Sequence, residues 1–188
     1  KHIRRWVALA LFGALLIAAR LATSTQAFDE PAAKQDAQRF DHLVRADFFA
    51  GMAGNQERFA KAMKLCEDTL AKNPKHAEAL VWHGAGLLYQ SGRSFQAGDM
   101  QTGMEMWQRG LGEMETAVKL APTNIAVLIP RAACLNEMSK YIPVPEMADE
   151  LLTIAVNDYE QVFKIQQGQL AKLTPHARGE LLTALATG

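Results

Sequence analysis

The sequence predicts an all-α protein, a stack of antiparallel helix hairpins, on three observations. The chain echoes itself at a spacing of 48 residues, Cys66-Glu67-Asp68-Thr69-Leu70 to Pro74 being answered by Met114-Glu115-Thr116-Ala117-Val118 to Pro122. Self-similarity at such a period is the signature of a repeat architecture. Apolar residues recur at helical spacing, with Phe59, Met63, Cys66 and Leu70 on one face and Met100, Met104, Trp107, Leu111, Met114 and Val118 on another, as amphipathic helices require. Prolines and capping residues fall between these runs, and no stretch alternates as a strand does.

The elements follow in order. Lys1, Arg4 and Arg5 precede an apolar run from Trp6 to Ala19 and a small, polar stretch ending Thr25-Gln26-Ala27. This is the pattern of a secretory signal peptide over residues 1–27, with removal after Ala27 expected and an uncleaved anchor as the alternative. The run is short for a permanent span, and Arg20 opposes its extension. Arg4-Arg5 also admits a twin-arginine export reading, and no cysteine stands near the cleavage site to mark a lipoprotein. The remaining 28–188 form one helical domain. Helices are expected at Asp36 to Met52, Asn55 to Lys72, Ala77 to Tyr89, Asp99 to Leu120, Ile125 to Tyr141, Pro145 to Gln166 and Pro175 to Ala186. Asn73-Pro74 and Ala121-Pro122 end their helices, and Thr174 with Pro175 reads as an N-cap with proline at the first helical position. Pro130 falls inside the fifth helix, where it lacks an N–H and crowds the preceding turn, so a kink or a later start is expected there. The last helix carries Leu181, Leu182 and Leu185; it is expected either to cap the array with a polar outer face or to await a further helix in a longer chain.

Composition supports one globular domain, since 188 residues with 49% hydrophobic content can bury a core. The formal net charge is zero, but four of the 20 basic residues and none of the 20 acidic ones lie in the first 27 positions. The body is therefore mildly acidic, which offers no electrostatic basis for nucleic-acid binding.

The pattern Leu80, His83, Gly84 and Leu87, then Gly110, Met114 and Pro122, recurs as Leu128, Arg131, Ala132 and Leu135, then Ala155 and Tyr159, with a half-match at Ala62, Cys66 and Pro74. Over about Ala37 to Tyr159 the chain resembles the tetratricopeptide repeat family. That resemblance implies a right-handed superhelical stack of hairpins, an α-solenoid, in which small residues such as Gly84, Ala132 and Ala155 let helices approach closely. The family unit is 34 residues against 48 here. The excess is assigned to a loop at Gln90 to Gly98 and a longer following helix, and His83 and Arg131 stand where the family has leucine.

Chemistry motifs are absent: no H-E-x-x-H, P-loop, G-x-S-x-G or dinucleotide fingerprint occurs. No catalytic residue, metal site or cofactor is expected. His176 and Glu180, four apart, are read as surface residues in preference to metal ligands, and His76 as a cap-region residue. Cys66 and Cys134 lie on apolar faces in separate units, favouring buried free thiols over a bridge. His83 and Arg131 occupy equivalent inward slots, and a buried charge needs a partner. They are assigned to an inter-helix polar network, with Glu113, Glu115 and Glu137 as candidate partners and ligand contact as the alternative. Arg93 and Phe95 lie on the Gln90 to Gly98 insertion and either face a ligand or, for Phe95, tuck beneath the solenoid.

The resemblance further implies that first helices line a concave face. Its members would be Glu78, Val81, Ala85, Leu88 and Tyr89 from one repeat and Ala126, Ile129, Ala133, Asn136 and Glu137 from the next, unless Val81 and Ile129 belong to the core. The expected function is a non-enzymatic scaffold or adaptor, periplasmic or secreted, that binds a protein or peptide partner in this groove, with no stable membrane insertion after signal removal. The alternative is a small-ligand-binding accessory component of a transport system. A hydrolase is the third class, disfavoured because no base stands beside a nucleophile.

Overall fold

The computed structural model describes residues 39–175 together with Arg178, Gly179 and Leu182, and among these every regular element is helical. The helices are α1 (Asp41–Met52), α2 (Gln56–Lys72), α3 (Ala77–Gln96), α4 (Met100–Leu120), α5 (Ile125–Ser139) and α6 (Pro145–Gln166), followed by a 3-10 turn at Gln167–Lys172. The expected signal peptide at 1–27, and His176, Glu180, Leu181 and Leu185 of the last expected helix, lie outside the described residues.

Local chemistry sets the starts. A side-chain acceptor satisfies an otherwise orphaned amide at four of them: Asn55 takes Arg58 N at 3.1 Å, His76 Nδ1 takes Ala79 N at 3.1 Å, Asp99 takes Thr102 N at 3.1 Å and Asn124 takes Ala126 N at 2.9 Å. At α6 the cap is Val144, which offers no oxygen, and Pro145 follows it. The turns after α1 and α3 use Gly54 at φ 111° and Gly98 at φ 82°, a backbone region closed to most side chains.

Two boundaries correct the sequence reading. The segment Gln90 to Gly98 is not an insertion loop: α3 runs on to Gln96, and only Ala97 to Asp99 turn the chain. Tertiary burial holds the extra turns helical despite their turn-forming residues, because Ser91 is fully buried with its hydroxyl on the Leu88 carbonyl at 2.7 Å. The Phe95 ring also occupies the space that a Cβ on Gly103 would need. The other correction is the start of α1, expected at Asp36, since Arg39 and Phe40 lie outside the helix and Asp41 begins it; Pro130 lies inside α5, which starts at Ile125 as the sequence reading has it. Asn124 anchors that start, its carbonyl accepting from Val127 and Leu128 while its side chain takes Ala126.

The chain divides into two units, Lys1–His42 and Leu43–Gly188. In the first, the Arg39 guanidinium grips both oxygens of the buried Asp41 carboxylate at 3.0 and 2.9 Å. In the second, α3 is the central helix, packed most extensively on α4 and also on α2 and α5, while α5 packs chiefly on α6. Residues 79–88 of α3 are buried without interruption. Gly86 faces Met63 and Phe48, whereas Gly84 faces α4. An aromatic cluster fills the α1–α2–α3 region, with Phe48 edge-on to Phe59 at 5.5 Å, stacked on Trp82 at 5.3 Å, and Phe59 against Tyr89 at 5.0 Å. Such pairs add about 0.5–1.5 kcal/mol each beyond their burial. A further cluster forms around Leu128 and Val162, joined by Val118, Ile125, Ile129, Phe163 and Leu170.

Candidate functional site

At the α3–α4 crossing, a Cβ on Gly84 would lie 2.7 Å from the Gly110 carbonyl oxygen, and one on Gly110 would lie 2.8 Å from that of Gly84. The backbones are therefore in direct contact. One residue before Gly84 and three after Gly110, His83 and Glu113 meet across the crossing with Nδ1 and Oε2 2.5 Å apart. The imidazole is 2% exposed. Its Nε2 lies 3.9 Å from Glu67, and the second Glu113 oxygen accepts from Arg109 Nε at 2.9 Å.

The α5–α6 pair carries a second buried ion pair. Ala132 and Ala155 are fully buried, and Arg131 forks onto Asp158 through Nε at 2.6 Å and Nη2 at 2.7 Å. His83 and Arg131 are 48 residues apart, while Glu113 and Asp158 are 45 apart, as are Gly110 and Ala155. The α3–α4 and α5–α6 pairs thus each carry a polar clasp at the same offset from their small residues, one of imidazole and glutamate and one of guanidinium and aspartate, while α1 and α2 are joined by Asp47 with Arg58 and Lys61. For Arg131 the hydrogen-bonded partner is none of the three expected glutamates, although its charge reaches Glu115. The residue missed was Asp158, which was findable as the position three beyond Ala155, where Glu113 stands beyond Gly110.

Cys66 also lies near this cluster. Burial first, and the carboxylates of Glu113 and Glu67 next, push its thiol up to about 12. Cys134 is half-buried and not buried as expected, yet desolvation raises its thiol likewise, to about 12. Both cysteines are free. A nucleophilic role needs thiolate, which these surroundings suppress.

The concave set does not form a groove. Val81, Ala85, Leu88 and Ala126 are interior, at 5% exposure or less. The physical reason is the central place of α3: Leu88 lies against Gly110 of α4, and Tyr89 presses on Phe59 of α2. Ile129 packs on the Leu128–Val162 cluster. Glu78 is half-buried and accepts from Asn124 Nδ2 at 3.3 Å, which ties the start of α3 to the start of α5. Ala133 and Glu137 are exposed, and Asn136, like Glu78, Tyr89 and Ile129, is half-buried. Glu137 accepts from Lys140 at 2.7 Å and Tyr141 at 3.1 Å, and Lys140 foremost holds its carboxyl below the usual range.

Arg93 is exposed and donates to Gln56 of α2. With Gln90, Ser94, Ala97, Asp99 and Met106 it lines an open depression of about 340 Å³. Phe95 is half-buried and turned onto Gly103 instead. Among the described residues no group of three His, Cys, Asp or Glu side chains is placed to hold a metal, and no helix is long and apolar enough to cross a membrane. No protein-family model, curated protein or solved structure matches the chain.

Proposed function

We propose that this chain is a non-enzymatic helical-repeat module, exported from the cytoplasm, that holds a protein or peptide partner as a tetratricopeptide-like scaffold does. The observation that carries the reading is the recurrence of the clasp, His83–Glu113 in one helix pair and Arg131–Asp158 in the next. A polar pair that recurs beside small residues in two successive helix pairs supports a repeat reading, and repeats present extended surfaces to partners. The partner surface is assigned to the part of the expected face that remains open, Ala133, Asn136 and Glu137 on α5. The test is affinity capture from a periplasmic extract with immobilised wild type and with Ala133→Arg/Asn136→Ala, both checked for unchanged melting. A retained protein that the variant loses supports the reading. Equal retention by both moves the surface away from α5, and no retention above an unrelated helical protein counts against the module.

A second reading, a small-ligand-binding accessory of a transport system, draws on the depression beside Arg93. Its volume lies at the lower end for ligand sites, which are as a rule enclosed and largely apolar, whereas Arg93, Ala97 and Asp99 on its wall are exposed. Saturable binding of a metabolite that Arg93→Ala removes would favour this reading over the first.

A further inference from the structure

The turn from α5 into α6 leaves an apolar surface exposed, with only the Tyr141 hydroxyl tied down, donating to Glu137 at 3.1 Å. Within seven residues Tyr141 is 71% exposed, Val144 47% and Met147 41%. Pro143 and Pro145, both exposed, flank Val144, and proline fixes φ so that little order has to be gained on binding. Glu146, Asp149 and Glu150 follow at once, all exposed. None of the three has a hydrogen-bond or ion-pair partner among the described residues. No lysine or arginine occurs from Tyr141 to Phe163, and the flanking Lys140 is engaged by Glu137 at 2.7 Å. Acids in the first turns of α6 suit the helix dipole, but the dipole does not call for three exposed apolar side chains beside them.

We propose that this knuckle, Tyr141, Val144 and Met147 rimmed by Glu146, Asp149 and Glu150, docks a cationic amphipathic segment of another protein. The inference rests on the partner-binding reading above and names the partner's chemistry. Apolar side chains of such a segment cover the knuckle, as the anchor residues of peptide complexes do. Its lysines or arginines meet the three carboxylates, which steer the encounter and select against acidic partners. An anionic membrane surface is repelled by the same charges.

The test uses the whole chain and two labelled synthetic helices of equal length, one of lysine and leucine and one of glutamate and leucine, followed by fluorescence anisotropy. The lysine peptide is expected to bind and the glutamate peptide to fail. Raising salt from about 20 to 300 mM should weaken binding severalfold through screening. Glu146→Gln/Asp149→Asn/Glu150→Gln should lower affinity at least tenfold at low salt, and Tyr141→Ser/Val144→Ser should lower it comparably at both salts, with helical circular dichroism unchanged. Equal binding of the two peptides, or variants that bind as wild type does, would overturn the proposal. So would docking of the knuckle onto anionic vesicles or self-association lost with Tyr141→Ser. If the knuckle variants also retain the partner captured in the α5 experiment, the knuckle reading falls while the module reading stands.

Discussion

Replacing Gly84 with alanine isolates the close approach on which the first helix pair depends. In an exposed helix interior that change is favourable by about 1 kcal/mol, because glycine is the more costly residue to order. Here the new Cβ would sit 2.7 Å from the Gly110 carbonyl oxygen, 3.0 Å from Met114 Cγ and 3.4 Å from Met114 N. Two of these three atoms are backbone, so no rotamer change relieves the contact, and α3 must move from α4. Overpacking of this kind costs about 1–3 kcal/mol. Set against the propensity gain, Gly84→Ala should lose up to about 2 kcal/mol, which for a chain of this size lowers the melting temperature by up to about 8 °C.

Gly112, on the same helix as Gly110, provides the control, since a Cβ there meets nothing within 4 Å. Gly112→Ala should gain about 0.5–1 kcal/mol. The double variant Gly84→Ala/Gly110→Ala should cost less than its two parts together, because one outward displacement relieves both clashes. Thermal and urea unfolding followed by circular dichroism reads all four proteins. A Gly84→Ala protein as stable as wild type, with Gly112→Ala no different from it, would refute the backbone contact.

Arg131→Met should cost about 3–5 kcal/mol, since it strands an Asp158 side chain that is 4% exposed, while Arg131→Met/Asp158→Leu should recover most of that loss; urea unfolding decides, and a double variant no better than the single would count against it. Neither cysteine should react with a thiol reagent at pH 8 in the folded protein, and both should react in denaturant without reductant, because no bridge joins them. A folded thiol pKa near 12 against 9.0 unfolded stabilises fully below pH 9 and loses that contribution as pH rises towards 12. Cys66→Ala/Cys134→Ala should accordingly show a shallower alkaline fall in melting temperature than wild type. If the signal reading holds, N-terminal sequencing of exported protein should begin at Phe28, and an intact leader would overturn cleavage after Ala27.

Helix identity was legible because it rests on periodicity and on caps, both local: Pro145 to Gln166 was readable to the residue, and α2, α4 and α5 to within two. The end of α3 was not. Gln90 to Gly98 has the composition of a loop, and only the fit of Phe95 over Gly103 and the burial of Ser91, both tertiary facts, make it helix. The same limit governs the site. The register of His83 and Arg131 could be read from the repeat, since equivalent slots are a property of the sequence, and so could the need for partners there. Which face of α3 stays open could not, because it depends on how many neighbours the helix acquires. With α2, α4 and α5 all packed on it, Val81, Ala85 and Leu88 have no solvent left to face. The proposed recognition is accordingly placed on the exposed Ala133 and Glu137 with half-buried Asn136, and on the knuckle whose Tyr141, Val144 and Met147 are exposed. The clasps lie in the helix interior, out of reach of any partner, and the proposed partner contacts rest on what α5 and the turn after it leave exposed.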